Sequence, residues 1–176
     1  MSSLSTPSGA AHRRQAQTVM QELRALSTVQ DRLDQYAAHR FGVNRTDLRA
    51  LDLIGQAGAI SPTELAAALG MSTGATSTVL DRLEAAGYAR RDPDPEHRRR
   101  TLVRLTPRAE RLSQAVFAPV IRGTIEQAAG YPDAVLAGIA DLLAAHRALL
   151  NRYLDEAPPA DAGAAPDSGS GSADPG

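Results

Sequence analysis

Three consecutive arginines, Arg98, Arg99 and Arg100, are the strongest chemical signal in the chain. A guanidinium is a permanent cation with a planar fork of donors, suited to gripping two phosphate or carboxylate oxygens at once. The three close a stretch that begins Asp92-Pro93-Asp94-Pro95. Two prolines exclude a helix, so residues 92–100 are expected to form a loop. Between Gly87 and Arg108 stand seven arginines and three acids, a local balance of +4. A charge run is commonly no more than a solvated face. This one gains meaning from a second group upstream: Ser72, Thr73, Gly74, Ser77 and Thr78 are small, polar and spaced to share the start of a helix. Alone they too read as a solvated surface. Beside a cationic loop, they form a face that a polyanion can approach closely, at a helix end whose free N–H groups attract phosphate.

The elements that must position these residues are legible around them. Ser61 can cap a helix, Pro62 suits its first position, and Glu64 completes a capping box. Leu65, Ala66 and Leu69 give that helix an apolar face, and Gly70 ends it in the left-handed region. Ser72 caps the next helix, whose apolar positions are Ala75, Val79, Leu80, Leu83 and Ala86, and Gly87 stops it. Tyr88 to Arg91 and Thr101 to Leu105 read as strands on either side of the arginine loop. Two short helices around a tight turn, followed by a two-stranded ribbon, are the parts of a winged helix-turn-helix. A strand alternates sides, so the three arginines cannot all face one way. One or two are expected at the minor groove or its phosphates, and another is expected to brace the loop against Asp94 or Glu96.

With these residues in view, the chain resembles the MarR family of bacterial transcriptional regulators. The resemblance rests on Thr46-Asp47-Leu48-Arg49-Ala50-Leu51, on Ser61-Pro62-Thr63-Glu64-Leu65-Ala66, and on Val79 through Tyr88. Arg98-Arg99 followed by Val103-Arg104-Leu105-Thr106 completes it, and it covers roughly residues 15 to 155. Two positions depart from the family pattern. His97 stands where an acid usually precedes the arginine pair, with Glu96 just before it, and Ala109 stands where glycine is usual. The resemblance implies DNA contacts from Ser72, Thr73, Gly74, Ser77, Thr78, Arg82, Arg98, Arg99 and Arg100. It also implies a short strand at Ala59-Ile60 beside the wing.

The remaining chain fits a mainly α fold with a small β-wing, a winged helix-turn-helix carrying long dimerisation helices. Residues 1–14 are rich in Ser, Pro, Gly and Ala and are expected to be a disordered arm. Residues 15–155 form the expected MarR-type domain. Within it the winged helix spans 44–106, and the dimerisation helices span 15–40 and 107–155. The first long helix carries a stripe of Val19, Leu23, Leu26, Leu33 and Ala37, interrupted by Gln30. Thr106-Pro107 opens another helix, which Pro119 is expected to kink or split. Gly130-Tyr131-Pro132 marks a break, and Val135, Leu136, Ile139, Leu142, Leu143, Leu149, Leu150 and Tyr153 stripe the last helix. Residues 156–176 are an acidic low-complexity tail, expected to be disordered.

Net charge is only −1, which is low for a DNA binder. The last 22 residues hold five acids and no base, and without them 19 arginines face 15 acids. Lysine and cysteine are both absent, so neither disulfides nor thiolate metal sites arise. No signal-peptide pattern or membrane-length apolar run occurs, and the expected location is the cytoplasm.

The partners follow: double-stranded DNA at an inverted repeat, a second copy of the chain, and no membrane. The resemblance further implies a small aromatic effector between the dimerisation helices and the winged domain. Tyr36, His39, Arg40 and Phe41 are placed at its edge, although Tyr36 and Phe41 as plain core plugs is the favoured reading. No cofactor, catalytic residue or metal is expected. The chain lacks a glycine-rich phosphate loop, an H-E-x-x-H pair and a nucleophile elbow. His39 and His146 as a zinc pair is the lesser alternative to two structural histidines. A different class, a winged-helix module for protein–protein assembly without an operator, stays open; it has no need of a triple arginine.

Overall fold

The computed structural model describes residues 9–97 and 100–157. Its elements are α1 (Gly9–Phe41), α2 (Arg45–Ala57), α3 (Pro62–Leu69), α4 (Thr73–Ala85), β1 (Ala89–Pro93), β2 (Thr101–Leu105), α5 (Pro107–Ala128) and α6 (Asp133–Glu156). The architecture is mainly helical with one small antiparallel ribbon, as the residue pattern leads one to expect.

Local sequence sets each boundary near the wing. The Ser61 hydroxyl accepts from the Glu64 N–H at 3.2 Å, and the Glu64 carboxylate accepts from the Ser61 N–H at 2.9 Å. This reciprocal cap holds the first turn of α3. Gly70 ends it at φ 66°, ψ 34°, a conformation that a side chain would oppose. Ser72 caps α4 by accepting from the Ala75 N–H at 3.2 Å. In the ribbon, Ala89 lies opposite Leu105, Arg91 opposite Val103 and Pro93 opposite Thr101. The far side of β2 pairs with Ile60 through two backbone hydrogen bonds to Val103, of 3.1 and 2.7 Å. The short strand implied for Ala59-Ile60 is thus a single bridge.

Helices α2, α3 and α4 and strand β2 close over a core in which Ile54, Leu65, Leu80, Leu83 and Val103 are free of solvent. Phe41 and Tyr88 meet edge to face, with centroids 5.3 Å apart, and the Tyr88 hydroxyl donates to the Phe41 carbonyl at 2.8 Å. The end of α1 is thereby fastened to the start of the ribbon.

The chain falls into two units. One runs to Ile121 and holds α1 to α4, the ribbon and the first part of α5. The other begins at Arg122 and holds the end of α5 and all of α6. None of the 24 residues of α6 is buried. Leu142, Leu143, Leu149 and Leu150 are each about half exposed on it.

Several expectations need correction. Helix α1 begins at Gly9, not near Gln15, so residues 9–14 are helical. Ala10, Ala11 and Ala16 are strong helix formers, and no proline interrupts the run. Asp92 and Pro93 belong to β1, not to the loop. Among the described elements β1 pairs only with β2, so the missing N–H of Pro93 falls on a tolerated edge position. Helix α5 passes Pro119 without splitting. Pro119 has no N–H to donate to the carbonyl of Ala115, which is an exposed residue. On α4, Ala75 is exposed and Thr76 is buried in its place. Thr76 lies three, four and seven residues before Val79, Leu80 and Leu83. Its hydroxyl donates to the Ser72 carbonyl at 3.0 Å, which removes the cost of burying it. Residues 1–8 of the N-terminal arm, Arg98 and Arg99 of the wing, and the tail beyond Ala157 lie outside the described residues.

Candidate nucleic-acid interface

The N-terminal half of α4 presents a small, polar surface. Thr73, Gly74, Ser77 and Thr78 are all exposed. A Cβ built on Gly74 would meet nothing within 4 Å, so no packing within the chain demands this glycine. The Thr78 hydroxyl donates to the Gly74 carbonyl at 3.3 Å, and Ser72 is engaged as the cap. Four of the sequence-expected contact residues therefore lie together on one accessible patch.

The C-terminal half of the same helix is fastened at two points. Arg82 donates through its Nε to the Asp47 carboxylate at 3.0 Å and through a terminal nitrogen to the other oxygen. Asp47 is 3% exposed at the start of α2, where Asn44 caps the helix and also donates to it at 3.0 Å. These hydrogen bonds raise the Arg82 pKa above its ordinary value. So Arg82 is engaged in the fold, with its side chain still 46% exposed. On the other side, Arg91 of β1 pairs with Asp81 at 2.9 Å and with Glu84, whose carboxylate also accepts the Arg91 N–H at 2.9 Å. One end of α4 is open to a partner, and its other end is bolted to α2 and to the ribbon.

The ribbon's charges are organised in the same way. Arg90 pairs with Asp92 at 2.8 Å, Arg104 approaches the same carboxylate at 3.8 Å, and Arg100 reaches Glu64 of α3 at 3.6 Å. The expected brace against Asp94 or Glu96 takes a different form. Asp94 is buried at the base of the loop and accepts from the Glu96 N–H at 2.9 Å, while the Arg100 side chain turns to Glu64. Each described arginine of the ribbon, Arg90, Arg91, Arg100 and Arg104, has an acidic partner. Beyond the ribbon, Arg108 donates to the Ala86 carbonyl at 3.0 Å and stacks 4.9 Å from the centre of the Tyr88 ring.

Within the first unit, α1, α2 and α5 enclose an open cleft of about 1120 Å³. Leu33, Leu48, Leu51 and Phe117 supply apolar walls, and Asp34, Arg49, Asp52 and Glu110 supply charge. Burial raises the Asp34 pKa, the nearby Asp31 and Asp52 carboxylates add to the rise, and Arg45 opposes it. Of the four effector residues expected from the sequence, only Phe41 lines the cleft. Tyr36 and Arg40 pair with each other on an exposed stripe of α1, with the guanidinium donating to the hydroxyl at 2.7 Å, and His39 is exposed. The signal that separates them is helical phase. Gln30, Leu33, Asp34 and Phe41 share the cleft stripe; Tyr36 and His39 lie about 120° and about 180° from its centre on the helical wheel, and Arg40 falls at its edge, seven residues after Leu33.

Residues 41–100 match the profile of the MarR family. The HTH-type transcriptional regulator YcgE of Bacillus subtilis is 33% identical over 116 residues, covering 66% of this chain and 75% of the relative. The chain belongs to the MarR family. The multiple antibiotic resistance protein MarR of Salmonella typhimurium is 38% identical over 77 residues, or 44% of this chain and 54% of that protein. Among solved structures, the transcriptional regulator Tm0710 of Thermotoga maritima shares the fold. Its TM-score is 0.55 at 23% identity, covering 80% of this chain and 99% of that one. A mutant of MepR from S. aureus does so at TM-score 0.60 and 16% identity, covering 75% and 96%. This MarR-family chain is therefore a winged-helix transcriptional regulator, and its work is not that of an enzyme. None of the described helices is long and apolar enough to cross a membrane.

Proposed function

We propose that this regulator works as a cytoplasmic homodimeric repressor on an inverted-repeat operator in double-stranded DNA. The N-terminal half of α4 enters the major groove, and Thr73, Ser77 and Thr78 contact base edges. Ser and Thr hydroxyls donate or accept, so each discriminates bases only weakly, and DNA shape supplies much of the specificity. The wing arginines Arg98 and Arg99 neutralise phosphates or enter the minor groove beside it. Arg82 and Arg100 serve by holding α4 and the wing in place. The observation that carries this reading is the contrast along α4, a helix exposed and small at one end and fixed by ion pairs at the other.

The second copy follows from α6, a helix of 24 residues with none buried. An apolar stripe of this length seeks a partner surface, at about 25 cal/mol for each Å² removed from water. Two copies related by a twofold axis would set their recognition helices about 34–36 Å apart, one turn of DNA. The cleft beside α1, α2 and α5 is large enough for a small aromatic effector, with Phe41 and Phe117 in its lining. Occupancy there would release the operator. The assembly-module alternative has less support, because the described ribbon is covered by paired charges instead of apolar side chains.

Capture of genomic fragments by the purified full chain tests this function. Enrichment of a few sites that share an inverted repeat is expected. Uniform recovery of all fragments, or of none, would remove the operator from the account.

A further inference from the structure

His97 stands directly before the arginine pair of the wing, and Asp94 three residues before His97. Asp94 is 7% exposed at the point where β1 gives way to the loop. Its carboxylate accepts from the Glu96 N–H at 2.9 Å and lies 3.7 Å from the His97 Nδ1. Its own N–H donates to the Arg100 carbonyl at 2.9 Å, and the Arg100 N–H donates to the His97 carbonyl at 2.7 Å. One residue thus gathers both ends of the loop, on the outgoing side through Glu96 and on the returning side through Arg100. Arg100 then ties the loop to α3 through Glu64, which is itself held by Ser61.

We propose that Asp94 is the positioning residue of the wing: its buried carboxylate sets the loop that carries the arginine pair. The proposal rests on the reading that the wing contacts the duplex. Backbone N–H donors at Glu96, and after them at His97, hold the Asp94 carboxyl below its ordinary value of 3.8, with His97 and Arg100 adding to the effect, so it is ionised at neutral pH. Among the described residues, the charged side chains that act on it are those of His97 and Arg100.

A test follows from the sign of the charge. Simple electrostatics says that removing an acid from a DNA-facing loop tightens binding. A positioning role says the reverse. The experiment measures affinity against salt for full-length Asp94→Ala, Asp94→Asn and the double variant Arg98→Ala with Arg99→Ala. The probe is the duplex pool that the unmodified chain enriches from random sequence. Circular dichroism and thermal melting serve as folding controls. Asp94→Ala is expected to bind about tenfold more weakly, the order of one lost charge-assisted hydrogen bond, with a flatter salt slope and an unchanged fold. Asp94→Asn keeps an acceptor oxygen for the Glu96 N–H and is expected to recover most of the affinity. Unchanged or tighter binding by Asp94→Ala overturns the proposal, as does an Asn variant no better than the Ala variant. If the double arginine variant binds like the parent, the wing contact itself fails, and the positioning role falls with it. If the double variant weakens and Asp94→Ala does not, only the positioning role is lost.

Discussion

Helix α4 and helix α6 are both striped with apolar residues, yet they end in opposite situations. In α4, Thr76, Val79, Leu80 and Leu83 are buried to 2% exposure or less, and the helix is also capped by Ser72 and bolted by Arg82 and Arg91. In α6, Ile139, Leu142, Leu143, Leu149 and Leu150 stay 45–53% exposed, and its N-cap position, Pro132, makes no side-chain cap. Apolar periodicity alone does not say where a helix finds its partner. In α4 the partner surface is the chain's own winged core. In α6 no residue is buried, and in the proposed dimer a second copy supplies the partner surface.

The comparison can be broken most severely from the α6 side. Leu142→Glu combined with Leu149→Glu places two charges in the proposed interface, and the variant is expected to be monomeric or unfolded by sedimentation. A folded dimer in that variant would move the interface elsewhere. On the α4 side, Leu80→Ala empties a solvent-free site and is expected to cost roughly 2–5 kcal/mol in denaturant unfolding. A cost near zero would mean that the winged core is far less tightly determined than its burial implies.

Smaller effects sharpen the picture at the surface of α4. Ser77→Ala removes one exposed hydroxyl and is expected to change the sequences selected from a random pool, at about 1 kcal/mol or less per base pair, while leaving the salt slope intact. Selected sequences identical to the parent's would show that Ser77 reads no base. The smallest expected effect lies in the cleft. The Asp34 pKa is raised above 3.8, chiefly by burial. A carboxyl raised in the fold contributes stability only below its unfolded pKa and loses it as pH rises through the folded value. Asp34→Asn is therefore expected to raise the melting temperature slightly at neutral pH, and not below about pH 4. An equal shift at both pH values would place the cause outside ionisation.

Much of the winged helix was legible because its signals are local. The Ser61–Glu64 capping box, the left-handed Gly70 and the Ser72 cap each need only three or four neighbouring residues to declare themselves. What stayed hidden depends on partners far along the chain. Asp47 and Arg82 are 35 residues apart, and only the folded core brings the buried carboxylate to the guanidinium. That the bracing arginine is Arg100, and that its partner is Glu64 and not Asp94 or Glu96, shows only once α3 stands beside it. That only Phe41 of the four effector candidates lines the cleft has a local reason. Tyr36 and His39 adjoin Phe41 in sequence, but at about 100° per residue they fall on other faces of α1 than the stripe of Leu33, Asp34 and Phe41, whereas Arg40, seven residues after Leu33, stands at its edge. The start of α1 was missed because a Ser- and Gly-containing composition suggested disorder, although alanines dominate from Ala10 onward.

The central claim is that the exposed stripe of α6 is half of a core completed by a second copy. Sedimentation equilibrium of the unmodified full chain, over a wide concentration range without DNA, tests it most directly. The account expects a species of twice the chain mass that persists to low concentration. A well-folded monomer throughout that range would contradict it.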